Sequence, residues 1–348
     1  MKIKLLFLSL ILPLLTGCFN YQEIEDGVTV SAITIDFGDE SKYRVGIEII
    51  KTGDNSQTET QVLSGEGESI HSALYKMIGM LNNNIYLGHC ESVILSKEVA
   101  ESGINDILEY FMRNNEFRKN MIIFVSKTEN ASEILQGINV KSQIVGYEIN
   151  NSVDADNKHQ SNTVYSPLYK VTNAILSEKG AALVSVIEID KSDDESRLKL
   201  NGCGYFYRDK LAGFLTAEET QILNIIRNDA NEVRLTLNKM GITIDNASTS
   251  LKKQENKIVL RTKARIEIFE TEGKKITDKS NLDNIKEELY KRTEELIEKM
   301  QKNKQIDVFK VATLFDKKGE SSHQYFNSLE IKPEIELKLK GSGTINEE

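Results

Sequence analysis

Residues 258–269 read Ile-Val-Leu-Arg-Thr-Lys-Ala-Arg-Ile-Glu-Ile-Phe, and this stretch decides the fold of the second half of the chain. Apolar and charged side chains alternate along it, which is typical of an antiparallel strand with one face in a core and the other in water. The inward residues are Ile258, Leu260, Ala264, Ile266 and Ile268, and the outward ones are Arg261, Lys263, Arg265 and Glu267. Residues 331–339 alternate in the same way and predict the last strand.

Between these two strands lies a long helical pattern. Residues 280–302 carry apolar residues three, four or seven positions apart, which places them on one helical face: Leu282, Ile285, Leu289, Leu296 and Met300. This spacing predicts an amphipathic helix that lies across one face of an antiparallel sheet. The sequence therefore predicts a C-terminal α+β domain over residues 231–348.

The first half of the chain alternates between strand and helix patterns. Strands are predicted at 28–35, 43–50, 92–95 and 121–125, with amphipathic helices at 70–81 and 104–111. This order predicts an α/β layered N-terminal domain over residues 18–195. Residues 150–163 are polar without periodicity and predict a surface loop, and Ser166-Pro167 predicts a capped helix start.

A small middle domain is predicted over residues 196–230. It opens with a hairpin that turns at Asp209-Lys210, and Thr216 with Glu219 forms a capping box at the start of the following helix. The fold class is therefore mixed α/β and α+β, with three domains.

The first 17 residues have the pattern of a lipoprotein signal peptide. Lys2 and Lys4 precede an apolar run over residues 5–15, which is shorter than the roughly 20 residues of a membrane span. Small residues then lead to Cys18, so the sequence predicts cleavage before Cys18 and its conversion to an acylated diacylglyceryl cysteine, with palmitate as a typical acyl chain. Two lipid chains hold a protein stably to a bilayer. The alternatives are a secreted protein with an ordinary cleavage site and a buried N-terminal strand.

Composition excludes several classes of function. The chain has 44 Lys and Arg against 53 Asp and Glu, and no dense basic run, which argues against a nucleic-acid partner. After Cys18 only Cys90 and Cys203 remain, and they either form one disulfide or are two buried thiols.

No catalytic constellation occurs in the sequence. Phosphate-loop, nucleophile-elbow and zinc-helix motifs are absent. His89-Cys90 supplies two metal ligands without a second close pair, and Ser250 with Lys253 matches only the short Ser-x-x-Lys spacing in a polar hairpin. We therefore expect no enzymatic activity, no cofactor and no metal site.

Three surface features have two interpretations each. The acidic residues of 280–302 form a solvated face with i,i+4 ion pairs, or a face that meets a partner. The glycines near Cys203 and Gly213 serve tight packing, or shape a ligand pocket. The basic stretch 113–119 is the end of a surface helix, or contacts anionic headgroups or an acidic partner loop.

Several short segments, in order along nearly the whole chain, resemble one family. They are the lipobox ending at Cys18, Glu23-Ile24 shortly after it, Gly65-Glu66-Gly67, Leu87-Gly88-His89, Arg113 with Glu116-Phe117-Arg118, Gly202-Cys203-Gly204-Tyr205-Phe206 with the segment from Lys210 to Leu215, and Gln301-Lys302 with Asp307-Val308-Phe309. The chain resembles the Ger(x)C family, the C-subunit lipoproteins of spore nutrient-germinant receptors. It departs from the family where Phe19-Asn20 replaces a usual Trp-Asp, and where Lys310-Val311 replaces glycines.

The resemblance implies a lipoprotein on the outer leaflet of the inner spore membrane. It implies a non-catalytic subunit of three mixed α/β domains that works with two integral membrane subunits in a receptor for small nutrients. The alternative is a lipid-anchored extracytoplasmic solute-binding protein. Such proteins usually have two similar α/β lobes around a cleft, a pattern that this sequence lacks.

Overall fold

The computed structural model describes residues 27–52, 58–81, 84–136, 144–190, 196–237, 240–254, 257–270 and 279–340. Within these ranges the chain forms two sheets, one of nine strands and one of four. The strands are β1 (Gly27–Phe37), β2 (Tyr43–Thr52), β3 (Thr58–Gly67), β4 (Asn84–Tyr86), β5 (Ser92–Leu95), β6 (Ile122–Ser126), β7 (Ala182–Asp190), β8 (Arg197–Tyr207), β9 (Lys210–Leu215), β10 (Glu232–Leu237), β11 (Met240–Gln254), β12 (Lys257–Glu270) and β13 (Glu330–Leu339).

The helices cover the faces of these sheets. They are α1 (Ile70–Met80), α2 (Lys97–Ser102), α3 (Asn105–Arg113), α4 (Ser132–Gln136), α5 (Val145–His159), α6 (Leu168–Ser177), α7 (Ala217–Arg227), α8 (Lys279–Glu298) and α9 (Glu320–Ser328). A π-helical turn, Lys299–Lys304, extends α8, and a 3₁₀ helix, Val311–Phe315, precedes α9. The mixed α/β fold class is confirmed.

The first sheet has the strand order β3-β2-β1-β5-β6-β7-β8-β9, and β4 also pairs with β1. Its centre is parallel, because β1, β5, β6 and β7 run in the same direction. On each side of this centre three strands pair antiparallel, β1–β2–β3 on one side and β7–β8–β9 on the other. The fully buried central strands β5 and β6 explain the continuous apolar runs seen in the sequence.

The second sheet has the order β10-β11-β12-β13, with the first three strands antiparallel. Its last strand differs from the prediction of a wholly antiparallel sheet, because β13 pairs with β12 in parallel. The chain between these two strands passes through α8 and α9, and a crossover connection of this kind is what a parallel pair requires. The long amphipathic helix is confirmed, and its residues Ile285, Leu289 and Leu296 are buried.

The first sheet continues past residue 195, where the sequence predicts a domain boundary. β8 hydrogen-bonds to the edge at β7, and β9 pairs with β8 in the hairpin predicted at Asp209-Lys210. Phe206 and Leu211 of this hairpin pack in the core of the first sheet, while Cys203, Tyr205 and Leu215 pack in the core of the second. The division into domains at 18–195, 196–230 and 231–348 stays a prediction.

One local prediction is wrong, and another is confirmed only in part, because α6 begins after Ser166-Pro167 but without the predicted cap. Residues 150–163 are mostly helical, since α5 runs to His159 and buries Ile149 and Val153. The Ser166 hydroxyl does not cap α6; it donates to the Ile123 carbonyl at 2.8 Å and so ties the chain before α6 to β6. In both cases a contact with a strand distant in sequence replaces the local signal.

Candidate functional site

One edge of the first sheet gathers several of the family segments. Parallel strands run in the same direction from this edge: β4 pairs with the first residues of β1, and β5 and, through β5, β6 begin level with Ala32 of β1. We call this the N-terminal edge and define it by Gly27, the turn 87–91 and the loop 114–121. Two family segments, Leu87-Gly88-His89 and Glu116-Phe117-Arg118, therefore lie at the same edge as Gly27, the first described residue after Cys18.

The turn 87–91 is fixed to β1 by backbone hydrogen bonds. The Cys90 N–H donates to the Leu87 carbonyl at 3.0 Å, and the Glu91 N–H donates to the Ser31 carbonyl at 2.9 Å. A Cβ atom at Gly88 would lie 3.5 Å from the Glu116 carbonyl oxygen, so the turn lies directly against the loop 114–121. The side chain of His89 is exposed on this surface.

The loop 114–121 is also held from inside. Phe117 is buried, and its ring packs edge-on against Phe111 with the ring centres 4.9 Å apart. The Lys119 ammonium donates to the carbonyls of Phe111, at 2.7 Å, and Asn114, at 2.6 Å. Partial burial lowers the pKa of Lys119 below its ordinary value.

The basic residues of this stretch therefore differ in role. Lys119 is a structural tie, and Arg113 forms an i,i+4 ion pair with Glu109 at 2.9 Å. Arg118 is exposed and forms no ion pair with any residue in the described ranges. Among the described residues of the N-terminal edge, Arg118 is thus an exposed cation without an ion pair that an external anion could contact.

Other family segments have structural roles. The Glu66 carboxylate accepts the backbone N–H groups of Asp39 and Glu40 and pairs with Arg44, and these interactions lower its pKa. A Cβ atom at Gly67 would lie 2.6 Å from the backbone nitrogen of Ala73, so only glycine lets β3 end so close to α1.

The family segments that connect the two cores also have structural roles. Gly202 has φ +83°, and a Cβ atom there would lie 2.0 Å from the Leu215 carbonyl oxygen. A Cβ atom at Gly213 would meet the Tyr205 ring. Close packing therefore accounts for both glycines, in line with the first of the two interpretations given above.

The C-terminal segments hold loops together. The Gln301 side-chain amide donates to the carbonyls of Phe326 and Leu329. Asp307 is fully buried, and its carboxylate accepts three backbone N–H groups around the 3₁₀ helix, those of Phe309, Val311 and Ala312. Burial nevertheless raises the pKa of Asp307.

The residues considered for chemistry are not brought together. In the described ranges, no three His, Cys, Asp or Glu side chains form a group that could hold a metal ion. Ser250 and Lys253 lie on β11, where the Lys253 ammonium stands 4.2 Å from the centre of the Phe315 ring. Cys90 and Cys203 are both free and buried, which answers the question of their pairing.

The acidic face of α8 forms the expected i,i+4 pairs, among them Arg292–Glu288 at 2.9 Å and Lys291–Glu295 at 3.9 Å. Cys18 and the predicted signal peptide, 1–17, lie outside the described residues, and so do Phe19 and Asn20. None of the helices in the described part of the chain combines the length and apolar character of a membrane span.

Comparison with known families covers both halves of the chain. Residues 20–189 match the spore germination protein N-terminal domain, and residues 201–343 match the domain described as spore germination B3/GerAC like, C-terminal. These two domains define a class of spore germination proteins. The chain belongs to the Ger(x)C family within that class, as the resemblance of its segments predicts.

The chain is similar to several curated relatives. It is 27% identical over 161 residues to spore germination protein KC of Bacillus subtilis (strain 168), a match that covers 43% of this chain and 39% of that protein. It is 26% identical over 250 residues to the putative spore germination protein YfkR of the same organism, covering 67% of this chain and 63% of that one. Spore germination protein GerQC of Bacillus cereus is 22% identical over 294 residues, 82% of this chain and 80% of its own.

A solved structure has a similar fold. The crystal structure of the GerBC protein superposes with a TM-score of 0.51 at 16% sequence identity, and the match covers 92% of this chain and 100% of that one. This likeness concerns the fold alone, and it supports the mixed α/β architecture.

Proposed function

We propose that this protein is a lipid-anchored, non-catalytic subunit of a spore nutrient-germinant receptor. It is held through Cys18 on the extracytoplasmic face of the inner spore membrane and docks on two integral membrane subunits. The observation that carries this proposal is membership of the Ger(x)C family over both halves of the chain, combined with the position of the N-terminal edge.

The position of that edge follows from chain length. Nine residues lead from Cys18 to Gly27, where β1 begins. Fully extended, they reach about 30 Å at roughly 3.3 Å per residue. A lipid on Cys18 therefore keeps Gly27 within that distance of the bilayer surface, and Arg118, on the loop 114–121 of the same edge, is available to an acidic loop of a membrane subunit or to anionic headgroups.

The anchor is tested by fractionating spores that carry the wild-type protein, Cys18→Ala or the control Cys90→Ala. We expect the wild type and Cys90→Ala in the membrane fraction together with two multi-spanning subunits, and Cys18→Ala lost from that fraction. Nutrient-triggered germination should fall with the loss of Cys18 and persist in the control. Membrane association of Cys18→Ala equal to the wild type would refute the anchor.

The docking edge is tested by charge reversal. Arg118→Glu removes the unpaired cation from the N-terminal edge, whereas the control Lys252→Glu makes the same change at an exposed position of β11. We expect fewer receptor subunits to co-purify with Arg118→Glu, with membrane anchoring intact. Equal co-purification in both variants would exclude this edge as the docking surface.

The solute-binding alternative rests on two similar lobes around a cleft. The two sheets differ here, since one has nine strands with a parallel centre and the other has four strands that are antiparallel except for the last pair. The geometry therefore favours the receptor-subunit function.

A further inference from the structure

We propose that a second contact, besides the lipid, holds this protein to the membrane: α6 and the turn after the 3₁₀ helix lie on anionic lipid headgroups. The inference rests on the proposed anchor at Cys18, because a surface that binds lipid weakly on its own is held against the bilayer once the chain is tethered. We call this region the α6 surface and define it by three apolar and three basic side chains: Tyr169, Leu176, Leu314, Lys179, Lys317 and Lys318.

Helix α6 lies along the N-terminal edge of the first sheet. At its start, the Tyr169 N–H donates to the Lys119 carbonyl at 3.1 Å, in the loop 114–121. After its end the chain enters β7, which runs parallel to β6 and therefore leaves from the same edge. The ten residues of α6 span about 15 Å between these two points. The α6 surface is thus on the side of the protein to which the segment after Cys18 leads.

The turn after the 3₁₀ helix continues this surface. The Gly319 N–H donates to the Glu178 carbonyl at 2.8 Å, directly after α6. The Ala181 N–H donates to the Asp307 carbonyl, also at 2.8 Å. Residues from the second half of the chain are therefore fixed beside the end of α6.

Large apolar side chains are exposed on the α6 surface. Leu176 is 73% exposed, the highest value for a large apolar side chain in the described ranges, and Tyr169 and Leu314 are 43% and 42% exposed. Tyr169 and Leu176 are seven positions apart and share one face of α6, whereas Leu168 and Val171 point into the core. Tyrosine and leucine are side chains that enter the boundary between headgroups and acyl chains.

The same region has an excess of positive charge. The three segments that meet here, 113–119, 168–181 and 310–320, hold eight Lys and Arg against four Asp and Glu. The whole chain has the opposite balance, with 44 against 53. Cations are therefore concentrated at one place on an otherwise acidic protein, where they favour an anionic surface.

The lysines of the α6 surface are available for such a contact. Lys179, Lys317 and Lys318 are exposed, and none of them forms an ion pair with a residue in the described ranges. The Lys317 ammonium lies 5.5 Å from the centre of the Tyr325 ring, which leaves its charge uncompensated. The four acids of the region are Glu116, Glu178, Asp316 and Glu320, of which Glu320 is paired with Arg208.

The test uses the absence of Trp from the chain, so that one introduced indole reports its own surroundings. The lipidated full-length protein carrying Leu176→Trp is added to vesicles of phosphatidylcholine and phosphatidylglycerol with brominated acyl chains. We expect its fluorescence to be quenched about twofold relative to unbrominated vesicles, because the side chain reaches the acyl boundary. The control Phe269→Trp, at a 63% exposed position of β12, should not be quenched. No quenching of Leu176→Trp, or equal quenching of both variants, would overturn the proposal.

Charge reversal tests the lysines. In the Leu176→Trp protein, Lys317→Glu together with Lys318→Glu should reduce the quenching, because each cation near an anionic surface strengthens binding about fivefold. The control Lys252→Glu, at an exposed position of β11, should leave the quenching unchanged. Vesicles of phosphatidylcholine alone should also quench less. Quenching that is the same after charge reversal and on uncharged vesicles would refute a contact with anionic headgroups.

Flotation of the vesicles measures the anchor separately. Protein that floats with the vesicles but shows no quenching of Leu176→Trp refutes the α6 surface and leaves the anchor intact. Protein that does not float refutes the anchor. The same variants are then attached through an N-terminal histidine tag to vesicles with a nickel-chelating lipid, and the comparison of Leu176→Trp with Phe269→Trp decides the α6 surface there.

Discussion

The Glu48 carboxylate, on β2, accepts the backbone N–H of Gly146 at 2.9 Å, at the first turn of α5. The same carboxylate accepts the Val145 N–H at 2.9 Å and the Ser31 hydroxyl. Glu48 is 1% exposed, so a strand of the first sheet supplies the cap of a helix that follows it by almost one hundred residues. The negative side chain also lies at the positive end of the helix dipole.

Replacing this cap should destabilise the protein. We expect Glu48→Ala to lower the free energy of unfolding by about 3 kcal/mol, because it leaves buried backbone N–H groups without an acceptor. Urea denaturation followed by circular dichroism measures the change. The matched control Glu59→Ala, at an exposed position of β3, should change it by less than about 0.5 kcal/mol. Equal effects in the two variants would contradict the capping role.

Two glycine-to-alanine substitutions should change the free energy of unfolding in opposite directions. Gly202→Ala places a methyl group against the Leu215 carbonyl in a left-handed conformation, so we expect a loss of more than about 3 kcal/mol in unfolding free energy. Gly79→Ala lies in α1 with open space around it, and should gain about 0.5–1 kcal/mol. Thermal melting of both variants tests the pair. A neutral Gly202→Ala would show that the hairpin can move away from α7.

The two internal thiols should be inert in the folded protein. Burial raises the pKa of the Cys90 thiol to about 12 and that of Cys203 to about 11, so neither forms a thiolate at neutral pH. In the Cys18→Ala variant, a chromogenic disulfide reagent should titrate no thiol in the native state and two in urea. One thiol titrated without urea would mean that a core opens on the time scale of the reaction.

Lys310 should make stability depend on alkaline pH. Its folded pKa of about 8 lies below the ordinary 10.5, so between these values the unfolded chain binds a proton that the folded chain has released. The free energy of unfolding should therefore rise from pH 8 to pH 10.5 through this residue. The charged groups that face it are Arg227, Lys170, Asp229 and Asp307.

The measurement is the difference between the wild type and Lys310→Met across that range, because other groups titrate there too. The wild type should gain stability relative to the variant as the pH rises. A constant difference would mean that Lys310 keeps an ordinary pKa.

Much of the fold could be predicted from local periodicity. The alternation along β12 and the helical spacing on α8 depend on burial of one face, which leaves a direct mark in the sequence. The capping box of Thr216 and Glu219 is equally local and is confirmed. Family segments such as Glu66 and Gln301 could be recognised, but only the structure assigns them to loop and helix packing.

The parts that could not be predicted depend on distant contacts. α5 has a polar sequence and no capping residue of its own, because Glu48 caps it from β2. The direction of β13 follows from the path of α8 and α9 rather than from its alternation.

The hairpin β8–β9 has a consequence for folding while the chain is being synthesised. Alternate residues of a strand point to opposite faces, so Phe206 and Leu211 complete one core while Cys203 and Tyr205 begin the other. During synthesis the chain up to residue 195 carries β7 with an open hydrogen-bonding edge, and that edge closes only when β8 emerges. Until then, the exposed edge of β7 can pair with a strand of another chain. Pairing of β8 with β7 removes this risk of aggregation.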